Sequence, residues 1–130
     1  MKKILVILFF TSGVLHAQDT TRQEVYRIVE KMPEPEGGIS SFHKYIAENI
    51  RYPDSARVKG ISGKVFLKFI VDTTGKITDV TTLKGVPDCP ECDEEAMRVV
   101  RSYPARWKPG TQGGKAVRVY YNLPISFKSQ

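Results

Sequence analysis

The residues with the most chemical potential are Cys89-Pro90-Glu91-Cys92. Two thiols at this spacing near a helix start can lower a thiol pKa and support disulfide exchange. A thioredoxin-like site would follow a strand of a βαβ unit. Here the preceding strand reads as half of a hairpin, and the connection that follows leads to an antiparallel strand. Zinc would need two further ligands, and there is no other cysteine. In an oxidising compartment the pair is expected to close a local disulfide, Cys89 to Cys92, that pins its loop.

Other candidates are weaker. Once an export leader is removed, His43 is the one histidine left, so a triad would have a single base to draw on. Neither an HExxH motif nor a histidine pair is present, and His43 fits a helix surface. Glu94 and Glu95 are adjacent, so they point to different faces of a helix and suit dipole compensation better than acid/base work. Glycines 110, 113 and 114 precede a strand, whereas glycines that cradle phosphate lead into a helix N-terminus. The sequence therefore reads as non-catalytic, with no cofactor and no metal site. Of the aromatic residues Tyr52, Tyr103, Trp107, Tyr120 and Tyr121, most should pack in the core or at its rim. Tyr120 lies on the face opposite an apolar row, beside Arg118 and Asn122, where it could contact a bound peptide.

These residues need elements to hold them. Val25 to Val29 is a short β-branched run that reads as a strand, stopped by Pro33, Pro35, Gly37 and Gly38. A helix is expected from Ser40 or Ser41 to Asn49, with a serine N-cap and Phe42, Tyr45, Ile46 and Ile50 at helical spacing. Asp54 to Lys59 is a helical turn at best, ended by Gly60. Two antiparallel strands, Lys64 to Asp72 and Ile77 to Lys84, are joined at Asp72-Thr73-Thr74-Gly75. Val65, Leu67, Phe69 and Val71 share one face of the first, which should be central; Phe66 and Ile70 suggest that its other face is partly covered. Gly85 to Cys92 reads as a loop and Asp93 as a helix start, with Ala96, Val99 and Val100 inward and Pro104 as terminator. Val117 to Phe127 alternates almost strictly between apolar and polar, as a half-buried strand should. The sum is an α+β domain: a small antiparallel sheet of three to four strands with two helices on one face.

The chain has 130 residues, enough for one domain. Lys2 and Lys3 precede the apolar run Ile4 to Phe10, and Val14-Leu15-His16-Ala17 follows, the pattern of an export signal cleaved after Ala17. A retained inner-membrane anchor is the competing reading, but it needs roughly 20 apolar residues and polar residues interrupt this run, while Gln18 in place of a cysteine argues against a lipoprotein. The expected division is residues 1–17 leader, 18–24 flexible, 25–130 domain, in the periplasm. Net charge is +6 for the chain and +4 without the two leader lysines. The basic residues are dispersed rather than striped, which with export argues against nucleic-acid binding.

Tyr52-Pro53, Ala56, Gly60 to Val65, Phe69 to Asp72, Gly75-Lys76-Ile77, Glu95-Ala96, Trp107 to Gly110 and Leu123 to Phe127 together resemble the TonB C-terminal domain family. The resemblance covers roughly Val25 to Phe127. It implies a periplasmic domain that grips an extended segment, the TonB box, of an outer-membrane receptor by adding it to the edge of the last strand, here Val117 to Ile125. It puts Tyr52, Pro53, Arg118, Tyr120 and Asn122 forward as partner-binding residues, and the same edge could pair with a second copy. A full transducer carries a membrane anchor and a long Pro-rich spacer, neither of which is seen here. That shifts the expectation toward docking, with inner-membrane motor proteins reached through another chain. An envelope structural or adaptor protein on the same fold is the alternative, and a CxxC redox protein a more distant one.

Overall fold

A computed structural model describes residues 24–128. The expected leader and flexible segment therefore lie outside the described residues, except for Glu24.

The core is built on β2 (Gly63–Val71), whose alternation puts Val65, Leu67, Phe69 and Val71 on one fully buried face. It pairs on one side with β3 (Ile77–Lys84) and on the other with β7 (Val119–Phe127), both antiparallel, giving the order β3-β2-β7. The strand expected to be central is central. The β2–β7 register runs unbroken from Gly63 opposite Phe127 to Val71 opposite Val119. Val119, Leu123, Ile125 and Phe127 join the buried layer. On the other face Phe66 is partly exposed while Ile70 is buried, so that face is covered unevenly.

The β2–β3 turn follows its sequence closely. The Asp72 carboxylate accepts from the Thr74 N–H, the Thr74 hydroxyl and the Lys76 N–H. Gly75 takes φ 85°, and a Cβ there would meet the Trp107 carbonyl at 2.0 Å. Only glycine satisfies both conditions.

The described residues hold three helices, not two: α1 (Ile39–Asn49), α2 (Asp54–Lys59) and α3 (Pro90–Arg101). Phe42 and Ile46, four residues apart, give α1 its buried stripe. Its N-cap is Gly38 at φ 91° rather than a serine, and the Ser41 hydroxyl bonds back to the Gly37 carbonyl. In α2, Gly60 adopts the left-handed conformation and the Ile61 N–H reaches the Ala56 carbonyl, closing the helix as expected. α3 packs on β2 and β3, and α1 and α2 pack on α3. It buries Ala96, Val99 and Val100, as their spacing indicated.

Three further expectations fail. α3 starts at Pro90 rather than Asp93: Cys89 is the N-cap, its sulfur accepting from the Cys92 N–H, and Pro90 occupies the first turn, where a missing N–H costs nothing. The long last strand is divided. Lys115–Val117 (β6) forms a hairpin with Gly110–Gln112 (β5) through Gly113-Gly114, and β7 begins after Arg118. Val25 to Val29 is not a strand, because only Tyr26 finds a strand neighbour, while Ile28 is 82% exposed. The chain beyond is tied by the Lys31–Thr111 bridge and by β1 (Glu34–Pro35), which pairs with β4 (Trp107–Lys108).

Cys89 and Cys92 are disulfide-bonded, and both are buried in the core cluster. The closed loop is very short, so the C89A/C92A protein should lose less than the roughly 3 kcal/mol expected for a 15-residue loop. Alanine avoids placing a hydroxyl in the apolar core. Urea unfolding of both proteins checks this; a loss above that figure would show that the bond does more than close a turn.

Candidate functional site

An antiparallel sheet's edge strand directs every second residue's N–H and C=O away from its neighbour. In β7 the orientation of these groups is fixed by two bonds: the Tyr26 N–H donates to the Arg118 carbonyl at 2.8 Å, and the Tyr120 N–H donates to the Tyr26 carbonyl at 2.9 Å. Tyr26 thus lies parallel to β7 on its outer edge. By the same period, Asn122, Pro124 and Ser126 direct their main-chain groups outward, and beyond Tyr120 this edge has no strand partner among the described residues. Pro124 has no N–H to offer, which suits an edge strand and leaves the donors of Asn122 and Ser126.

Side chains around this edge form two hollows. Beside Tyr120 to Asn122 lies a cavity of about 310 Å³, whose wall is completed by Arg27, Met32 and Lys68. The Lys68 ammonium sits 4.5 Å from the centre of the Tyr120 ring. The Arg118 guanidinium is 3.9 Å from the Asp79 carboxylate. Further along, Pro124, Ile125 and Ser126 meet His43, Ile46, Ala47 and Ile50 of α1 in a more apolar hollow of about 190 Å³. His43 is indeed on the helix surface.

Arg118, Tyr120 and Asn122 are therefore brought together, but Tyr52 and Pro53 are not with them. The Tyr52 hydroxyl donates to the Ile61 carbonyl and its ring stacks on Phe127, 6.3 Å between centroids, at the opposite end of β7. Pro53 lines an open cleft of about 580 Å³ with Arg51, Glu91, Glu94, Glu95, Arg98 and Arg101. The other aromatic residues are structural. Trp107 is buried edge-on to Phe42, Phe69 and Tyr121, and Tyr103 packs against Phe42. Burial pushes the Tyr121 phenol up.

The larger cleft is organised by Glu95. Burial alone would raise its pKa, but bonds from the Arg98 guanidinium at 2.7 Å and the Arg51 N–H at 2.6 Å, with both positive charges, hold it below its ordinary 4.5. A depressed carboxylate pKa stabilises the fold fully above the unfolded value and loses that effect as pH falls through the folded one. Glu95→Gln should therefore be less stable than wild type near neutrality, with the gap closing in acid below pH 4.5. Urea midpoints across that range check it; a gap independent of pH would show that the carboxylate's charge is not involved. Glu95 and Arg98, paired to each other and bonded to the Arg51 N–H and the Asn49 carbonyl, tie the α1–α2 link to α3, a structural role.

Sequence reasoning missed Tyr26 and the α1 wall. The Val25-Tyr26 composition marked an extended segment, but no local pattern shows which edge it meets.

Residues 48–129 match the family described as the C-terminal of Gram-negative bacterial TonB protein. Protein TonB of Pseudomonas aeruginosa is 35% identical over 68 residues, which are 51% of this chain and 18% of that protein. This chain thus spans less than a fifth of that relative. Two solution structures of the TonB C-terminal domain of Helicobacter pylori share the fold at 22% identity. The longer gives a TM-score of 0.54, covering 71% of this chain and 80% of that one. The shorter gives 0.50, covering 69% and 91%.

Proposed function

The chain belongs to the Gram-negative TonB C-terminal family, and from that premise we propose that it docks an extended segment of an outer-membrane receptor on the outer edge of β7, in TonB-dependent transport. The observation that carries this reading is the row of outward main-chain groups from Asn122 to Ser126, on an edge where the chain already accepts one extended residue, Tyr26. Strand addition draws affinity from main-chain hydrogen bonds and specificity from pockets for alternate side chains. The hollow walled by His43, Ile46, Ala47 and Ile50 suits such an apolar side chain.

Arg118, Tyr120 and Asn122 are the partner-binding residues on this reading, with Tyr52, beside Phe127 at the far end of β7, and Pro53, on the α3 cleft, as further partner contacts. It takes the protein to the periplasm after cleavage near Ala17, with the domain from residue 25 onward. No helix among the described residues is long and apolar enough to cross a membrane. The disulfide's burial supports a structural bond over a redox centre, since a partner thiolate would have to enter the core to attack it.

The reading is tested by titrating labelled synthetic peptides, copied from the N-terminal segments of the source organism's outer-membrane receptors, into the mature protein. Saturable binding by at least one is the expected result. A flat titration with every segment would leave an envelope adaptor on the same fold as the better description.

A further inference from the structure

The β7 edge proposed above as the docking surface is not wholly free in the protein by itself. Tyr26 forms both of its main-chain bonds there, to Arg118 and Tyr120, in parallel orientation. We propose that the segment Glu24 to Ile28 is an internal stand-in for the partner strand, a strap that must leave the edge before the partner can form a continuous ladder. The proposal rests on the docking reading.

The reason is the spacing of donors. On the outer edge of β7 the N–H groups available to an added strand belong to Tyr120, Asn122 and Ser126, because Pro124 has none. Tyr120 and Asn122 are the consecutive pair, and the Tyr120 donor is already held by the Tyr26 carbonyl. A partner that left the strap in place would find Asn122 and Ser126 separated by a residue that cannot donate. Three outward carbonyls and two donors that are not neighbours make a poor ladder; the 118–122 stretch makes a continuous one.

The strap is built to let go at one end and hold at the other. Tyr26 is fixed by two bonds, and the chain on its C-terminal side turns away with Arg27 and Ile28 exposed. From Val29 onward the anchoring is denser. Val29 is buried, Lys31 exchanges two main-chain bonds with Thr111, and Glu30 is bonded to the β5–β6 hairpin twice, its N–H to the Gln112 side chain and its carboxylate to the Gly113 N–H. Release can therefore stop at Val29 without disturbing the core. The cavity bounded by Arg27, Met32, Tyr120 and Asn122 marks the point where strap and strand part.

The full mature chain and its Tyr26→Pro variant, which lacks the N–H donated to Arg118, would be titrated with the same labelled receptor N-terminal segments. A closed strap lowers apparent affinity by the fraction of molecules that are open, so the variant should bind roughly tenfold more tightly. Equal affinity in the two proteins would overturn the strap while leaving docking intact. Binding by neither would overturn docking, and the strap with it. Should the variant lose its wild-type circular dichroism, amide exchange of wild type decides instead. The Tyr120 amide should be protected in the free protein and stay protected on titration, its acceptor passing from the Tyr26 carbonyl to the segment, while the Tyr26 amide, released from Arg118, shows a large resonance shift toward its unpaired value. A Tyr26 amide that stays paired in the saturated complex would overturn the proposal.

Discussion

Asn122→Pro should weaken binding of a receptor segment roughly 10- to 100-fold while leaving the fold intact. A ladder bond contributes about 1 kcal/mol net, and leaving the partner carbonyl buried without its donor raises the cost to about 1–3 kcal/mol. Asn122 is the first outward donor past the strap, and with Pro124 already unable to donate, losing it leaves no neighbouring pair. The fold should tolerate the change because the lost N–H points away from β2, the position in which Pro124 is accommodated. Tyr120→Ala is the contrast. It removes a ring packed under Lys68 on the open face but no main-chain donor, so affinity should change far less. Fluorescence anisotropy with the same labelled segment compares the three proteins. A larger loss for the alanine variant than for the proline variant would mean that side chains, not the ladder, hold the partner.

The largest stability effect is expected at Trp107. Its ring is 2% exposed and lies edge-on to Phe42, Phe69 and Tyr121 at centroid distances of 5.1, 5.5 and 4.9 Å. Its backbone ties two distant turns, since its N–H donates to the Gly75 carbonyl while β4 pairs with β1. Trp107→Ala should cost about 3–5 kcal/mol, a large share of the roughly 5–15 kcal/mol that holds a typical domain. Trp107→Phe should cost less, because the indole N–H is buried without a partner and its removal relieves an unsatisfied donor. Urea unfolding followed by circular dichroism measures both, as the chain has no other tryptophan to report by fluorescence. A cost for alanine no greater than for phenylalanine would refute the view of Trp107 as the keystone of the aromatic cluster.

Much of this fold was legible because its signals are local. The 77–84 strand has the boundaries its composition indicates, and the Asp72 to Gly75 turn follows from one carboxylate and one left-handed glycine. The central place of β2 was readable from apolar residues on both of its faces. What failed depended on partners or on competing local chemistry. Val25 to Val29 has strand composition, but a strand requires a neighbour, and the β7 edge is met only at Tyr26. Val117 continues the alternation of β7 yet belongs to β6, because Gly113-Gly114 turns the chain back onto β5 before β7 begins. Around Cys89 the helix-start signals were present, with Pro90 in the first turn and Glu91 and Asp93 beside it, but the cysteines drew the reading toward a loop.

The candidate site divides in the same way. Arg118, Tyr120 and Asn122 share a strand, so their proximity follows from sequence alone. That Tyr52 belongs to the packing around Phe127 does not, since the two are far apart in the chain and meet only through α2 and the sheet. Nor does the α1 wall beside Pro124 to Ser126, which depends on how the helix lies across the edge.

Amide hydrogen exchange, residue by residue, in the free protein and in its complex with a receptor segment tests the docking edge most directly. The Asn122 and Ser126 amides, without a strand partner among the described residues, should exchange quickly in the free protein and become protected in the complex, while β3 amides are unchanged. Unchanged exchange at Asn122 and Ser126, with new protection around Arg51 and Glu95 instead, would contradict strand addition at β7 and move the binding site to the cleft between the α1–α2 link and α3.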